Sequence, residues 1–247
     1  MTFRGRLLSL IARPCAVFLT VGIAGSTAVA QSAATQPATQ AATTAPVAVD
    51  RSSPRSTVRS FAVALHQGDA DALRGLIFNG SEVDRRMVDA TIELAVALAS
   101  FRQAAEVQFG KAEADLALNN PDTVHAAALD RIESANEQIT GDTATLGQPN
   151  EPPVVLRRAA DGWQVVIGTL SNAENSGAIE GRVGGITRQA TVLNALAVDI
   201  RADRHRSMRE VLTLLHGQMM KAAVDAPSKP RETDAPMEDP SVPVDRN

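Results

Sequence analysis

One cysteine serves the whole 247-residue chain, and it stands at position 15, inside a short apolar run near the N-terminus. Arg4, Arg6 and Arg13 precede that run, Cys15 to Ala24 form its body, and Ala28-Val29-Ala30 offer small side chains ahead of Gln31. A basic start, an apolar middle and a small-residue end make the pattern of a secretory signal peptide. Residues 1–30 are therefore expected to be a leader, with Ala28, Ala30 and Gln31 marking the cleavage site. An uncleaved anchor would need about 20 apolar residues to cross the hydrocarbon, and Gly22, Gly25, Ser26 and Thr27 dilute the run. A lipoprotein would carry its cysteine at the end of the run, whereas Cys15 opens it.

Cleavage would leave a chain with no thiol. Disulfides, thiolate nucleophiles and Cys-ligated metals or clusters are then excluded together. A chain exported to the periplasm or the extracellular space without disulfides must be held by its own packed core, which a domain of this size can supply.

The net charge of −4 becomes −7 once the three leader arginines leave, so no general attraction to nucleic acid or anionic lipid is expected. Nor is stable membrane insertion expected after cleavage. Aromatic side chains beyond the leader are only Phe61, Phe78, Phe101, Phe109 and Trp163, with no tyrosine, which leaves little to stack on bases or sugars.

Composition divides the rest of the chain. Residues 31–53 are rich in Ala, Thr, Pro and Gln and cannot bury enough surface to offset their ordering entropy, so a disordered linker is expected. The same holds for the acidic, Pro-rich tail over 225–247. Between them, 54–224 is expected to form a single globular α+β domain, helix-dominated, with long amphipathic helices and a small antiparallel sheet.

Pro54 after Ser52-Ser53, with Val58, Phe61, Ala62 and Leu65 on one face, predicts a short helix stopped by Gly68. Asp69 is placed to cap a second, ending near Asn79-Gly80, and Ser81 with Glu82 and Asp84 opens a third. The third carries an apolar stripe from Val83 through Phe101 and Ala105 towards Phe109. Asn119-Asn120-Pro121-Asp122 predicts a turn and then a helix to about Ser134. Three extended segments follow, Thr143–Leu146, Pro153–Arg158 and Trp163–Thr169. The last two are joined by Ala160-Asp161-Gly162, whose Asp-Gly pair signals a hairpin. The Gly-containing stretch Ser171–Gly185 is expected to be a loop, and Ile186 to Met219 one long amphipathic helix, bent around the charged residues Arg201 to Arg206.

Val58-Arg59-Ser60-Phe61 through Gly68-Asp69 to Leu76 resembles the opening helices of the nuclear transport factor 2-like superfamily. Pro153 to Arg158 with Asp161-Gly162-Trp163-Gln164-Val165-Val166 is similar to the late hairpin of that fold, where an Asp-Gly turn leads into a strand beginning with tryptophan. The resemblance covers about a fifth of the chain. It implies a curved antiparallel sheet wrapped around helices to leave a conical apolar pocket, here lined by Phe61, Leu65, Trp163, Val165 and Ile167. The chain departs from the superfamily in the long helical stretch from Ser81 to Ser134 and in showing only three evident strands. Members resembling ketosteroid isomerase use an acidic base with a tyrosine-containing oxyanion hole. Without tyrosine that apparatus cannot be assembled, and Asp69 matches a helix cap.

No other constellation carries chemistry. His66, His125, His205 and His216 lack the helical spacing that converges two imidazoles on a metal and are read as surface or boundary residues. Arg201-Ala202-Asp203-Arg204-His205-Arg206 is read as a solvated helix face rather than a phosphate or carboxylate site. Gly177 to Gly185 matches no phosphate-loop or dinucleotide fingerprint. No catalytic residue, cofactor or metal site is assigned. The expectation is an exported, non-catalytic binding or structural module of the bacterial cell envelope. The alternatives are a small-molecule carrier or enzyme using the conical pocket, and a helical interaction protein, such as a homodimer, in which Ser81–Ala117 and Ile186–Met220 pair as an antiparallel bundle or dimer seam.

Overall fold

The computed structural model describes residues 48–167 and 176–224, with side chains over 48–167 and 179–221. The leader, most of the linker, residues 168–175 and the tail from 225 lie outside the described residues.

Local capping sets the first helices. Helix α1 (Pro54–Gln67) starts with a reciprocal capping box in which Ser53 Oγ accepts from Ser56 N–H and Ser56 Oγ accepts from Ser53 N–H. It stops at Gly68, whose φ of 68° only glycine adopts without cost. Helix α2 (Ala70–Leu76) is capped by Asp69, which accepts from Ala72 N–H at 3.0 Å. Ser81 caps α3 (Glu82–Phe109) by accepting from Asp84 N–H. Gly110 ends α3 and turns the chain into α4 (Lys111–Ala117). Asn119 and Asn120, both with positive φ, reverse it into α5 (Pro121–Ser134).

A four-stranded antiparallel meander follows in chain order: β1 (Asn136–Thr140), β2 (Thr143–Gly147), β3 (Val154–Ala159) and β4 (Gly162–Val165). The expected hairpin is present, with Ala159 opposite Gly162 around Ala160-Asp161. Leu156, Trp163 and Val165 lie on the covered face, as the alternation requires. Two corrections apply to the strands. The last strand ends at Val165 rather than running on through Ile167, and β1 is a strand that the sequence reading left out. β1 shows one half-buried residue among four exposed ones, so it has no apolar alternation to read. Its signal is the two-residue connection Gly141-Asp142 before β2, with Thr140 opposite Thr143.

The final helices also correct the expectation. Helix α6 (Ser176–Arg201) already includes Gly177, Gly181, Gly184 and Gly185, so most of the expected Gly-containing loop is helical. Glycine costs about 1 kcal/mol each against alanine in a helix interior. Packing overrides it here, because Ile179, Ala190, Leu193, Leu196, Ala197 and Ile200 are all buried along the helix. The chain does not continue as one bent helix. It breaks over 202–207, where Asp203 takes φ 55°, and restarts as α7 (Met208–Val224).

Two hydrophobic clusters result, and α3 spans both. Val88, Ile92 and Ala95 pack with α1, α2 and the sheet, while Ala97, Phe101, Ala104 and Ala105 pack with α4, α6 and α7. The α3–α6 pair forms within the one chain, but the two helices run parallel, not antiparallel. Arg86 meets Glu180 near the two starts, whereas Ser100 and Gln108 meet Arg201 and Asp203 near the two ends. The direction follows from the sheet. β4 bridges in parallel to Ile77, and Phe78 N–H donates to Val165 O at 2.9 Å, so the chain leaves the sheet beside the beginning of α3.

Residues 50–53, assigned to the linker by composition, are held against the body. Arg51 makes a two-pronged contact with the Asp161 carboxylate, its carbonyl accepts from Trp163 N–H at 3.0 Å, and Asp50 N–H donates to Ser60 Oγ.

Candidate functional site

The five residues expected to line a conical pocket belong instead to the first hydrophobic cluster. Phe61, Trp163 and Val165 are buried in it, and Leu65 and Ile167 pack half-buried against it. An open groove of about 520 Å³ lies outside the β3–β4 hairpin, lined by Arg51, Ser52, Arg158, Asp161, Gly162 and Trp163 among others. Of the five, only Trp163 borders it. The groove is polar at its rim, with Arg51 and Asp161 already paired and the Arg158 guanidinium 5.6 Å from the Trp163 ring centre.

The charged sequence Arg201 to Arg206 is the connector between α6 and α7, not a helix face. Its side chains are spoken for locally: Arg201 donates to Ser100 O and Oγ, Arg204 to Asp199, and Asp203 accepts from Gln108 Nε2 at 2.6 Å. His205 is buried, with the Glu210 carboxylate 3.6 Å from its Nδ1.

The densest titratable cluster is one that sequence spacing does not reveal, because its members come from four helices. His66 stands in the last turn of α1 and His125 in the first half of α5. Their rings stack with centres 4.2 Å apart and planes 8° from parallel. Arg102 of α3 donates from Nη2 to His66 O at 3.1 Å, so it also caps the carbonyl end of α1. Its Nη1 lies 3.1 Å from His66 Nδ1, and Asp122 Oδ1 lies 3.2 Å from His66 Nε2. The network assigns one tautomer to neutral His66: Nε2–H donates to Asp122 while Nδ1 accepts from Arg102. Lys111 of α4 then bridges Asp122, at 2.8 Å, and Asp115.

The electrostatics follow from this arrangement. Partial burial, the Arg102 charge and the neighbouring His125 lower the His66 pKa to about 4, against the weaker opposing pull of Asp122. Burial likewise lowers His125. The hydrogen bond from Lys111 holds the Asp122 carboxyl below its ordinary value, and Asp122 and Asp115 raise Lys111. Both imidazoles are thus neutral near pH 7.

A His–Asp pair is the arrangement that orients a general base. Here Arg102 occupies the other ring nitrogen of His66, so no lone pair remains to take a proton from a substrate. Among the described residues, no three His, Cys, Asp or Glu side chains are grouped to hold a metal ion. The one signal the sequence offers for the cluster is the Asn119-Asn120-Pro121 reversal, which turns α5 back against α1.

No family model, curated protein or solved structure matches the chain.

Proposed function

We propose that this chain is an exported, non-catalytic binding or structural module of the bacterial cell envelope. The observation that carries the non-catalytic half is the packing of Phe61, Leu65, Trp163, Val165 and Ile167 into one hydrophobic cluster, where a carrier or pocket enzyme would leave them around a void. The leader pattern over residues 1–30 carries the exported half. No helix among the described residues is long and apolar enough to cross a membrane. The similarity to the nuclear transport factor 2-like superfamily fits the same reading, as a non-catalytic relative with its cone filled. The antiparallel meander, with the Asp161-Gly162 turn leading into a Trp163 strand packed on α1 and α2, supports it.

Cys15 makes the export claim simple to test, since it is the only thiol and lies in the leader. Protein recovered from outside the cytoplasm of the producing cell should begin at Gln31 by intact mass and bind no thiol reagent. One reactive thiol per chain on that protein would refute cleavage.

A further inference from the structure

We propose that α5 is a proton-operated latch: protons taken up by the stacked His66–His125 pair release the first half of α5 from α1 and α3 on mild acidification, while the rest of the fold stays closed. The inference stands apart from the export reading and rests on how α5 is attached. None of its fourteen residues is buried, so apolar packing does little to hold it. Polar contacts at its two ends hold it instead, and the ends differ in kind.

At the C-terminal end the Arg55 guanidinium donates to the carbonyls of Ile132, Glu133 and Ala135, and Arg59 pairs with Glu133 at 2.8 Å. An arginine keeps its charge at every pH a cell meets. At the N-terminal end the fastening is the ring stack, the Asp122–His66 hydrogen bond and Lys111. The hinge between α4 and this end is Asn119-Asn120, two consecutive non-glycine residues at φ 57° and 47°, a sparsely populated conformation that release would relax.

Every element around the pair contributes charge: Arg102 and Glu106 from α3, Lys111 and Asp115 from α4, and Asp122 from α5 itself. Asp122 favours a charged His66, but it is already shared with Lys111. A proton on His66 Nδ1 would turn its accepted hydrogen bond from Arg102 into two donors facing each other. A proton on His125 would lay a cation flat against the neighbouring ring. Neither ring takes up its proton in place at mildly acidic pH, whereas after release both return to the ordinary imidazole range near 6.5. Release is therefore coupled to uptake of close to two protons.

Hydrogen exchange on the full chain between pH 7.5 and 5, expressed as protection so that the intrinsic pH effect is removed, tests this. Amides over 121–128 should lose protection by about 30-fold per histidine at pH 5, with a slope approaching two protons below pH 6.5. Protection in α3 and in β2–β3 should stay constant. His125→Phe keeps a stacking ring and should halve the slope, and adding His66→Gln should abolish it. Constant wild-type protection over 121–128, or its loss together with the sheet, would overturn the proposal. Should the variants not fold, NMR titration of the wild-type imidazoles decides the matter. Titration of both rings together with the loss of native α5 signals supports the latch, and ordinary titration near 6.5 with α5 signals intact rejects it.

Discussion

Gly162 has no room for a methyl group. Its φ is 125°, and a Cβ there would sit 2.5 Å from the Arg51 carbonyl oxygen, the atom that accepts from Trp163 N–H. Gly162→Ala should therefore cost at least about 2 kcal/mol, measured by urea unfolding, by forcing residues 50–53 off the hairpin. Leu156, fully buried beneath the sheet, should lose about 2–5 kcal/mol on truncation to alanine, whereas Val107→Thr at a 75 % exposed site should change little. His66 adds a pH term. Because its folded pKa lies below its unfolded one, the unfolded chain takes up the proton first as pH falls. The stability that neutral His66 supplies is complete above about pH 6.5 and drains away between there and about pH 4. Its size is at most on the order of 1–2 kcal/mol once solvent screening is allowed for. His66→Gln should flatten the pH dependence of the denaturation midpoint in that window. An unchanged profile would mean that His66 titrates alike in both states.

At the scale of elements, helix caps are legible in sequence because they are local. Ser53 with Ser56, Asp69, and Ser81 with Asp84 all act within four residues of themselves. β1 and the start of α6 are not legible, since each is decided by a partner distant in sequence. β1 exists by pairing with β2, and the glycines of α6 are carried by packing along α3. Those glycines also show that space does not require them: a Cβ at Gly181 or Gly185 would meet nothing within 4 Å. Replacing each with alanine should raise stability by about 0.5–1 kcal/mol, read as a higher urea midpoint with unchanged slope. A loss of stability would mean that this stretch is not helical in solution. The histidine cluster is illegible for the same reason as β1. Residues on α1, α3, α4 and α5 meet only after Asn119-Asn120 has reversed the chain.

For the whole molecule, α3 is the shared wall of two hydrophobic clusters, with Ala95 on one side of the division and Ala97 on the other. The helix-dominated α+β architecture and the Asp161-Gly162 hairpin follow from apolar periodicity. The parallel sense of α3 and α6 does not, because it depends on where β4 leaves the sheet. A filled first cluster underlies the assignment of a non-catalytic role, and the chain contains its own reporter for it. Trp163 is the sole tryptophan, 4 % exposed, and one of the five side chains that a conical pocket would display. Its fluorescence in the full chain should be blue-shifted, slow to quench with acrylamide, and unchanged by small apolar ligands at millimolar concentration. Rapid quenching typical of an accessible indole, or a saturable change on adding such a ligand, would show an open cavity where solid packing is described.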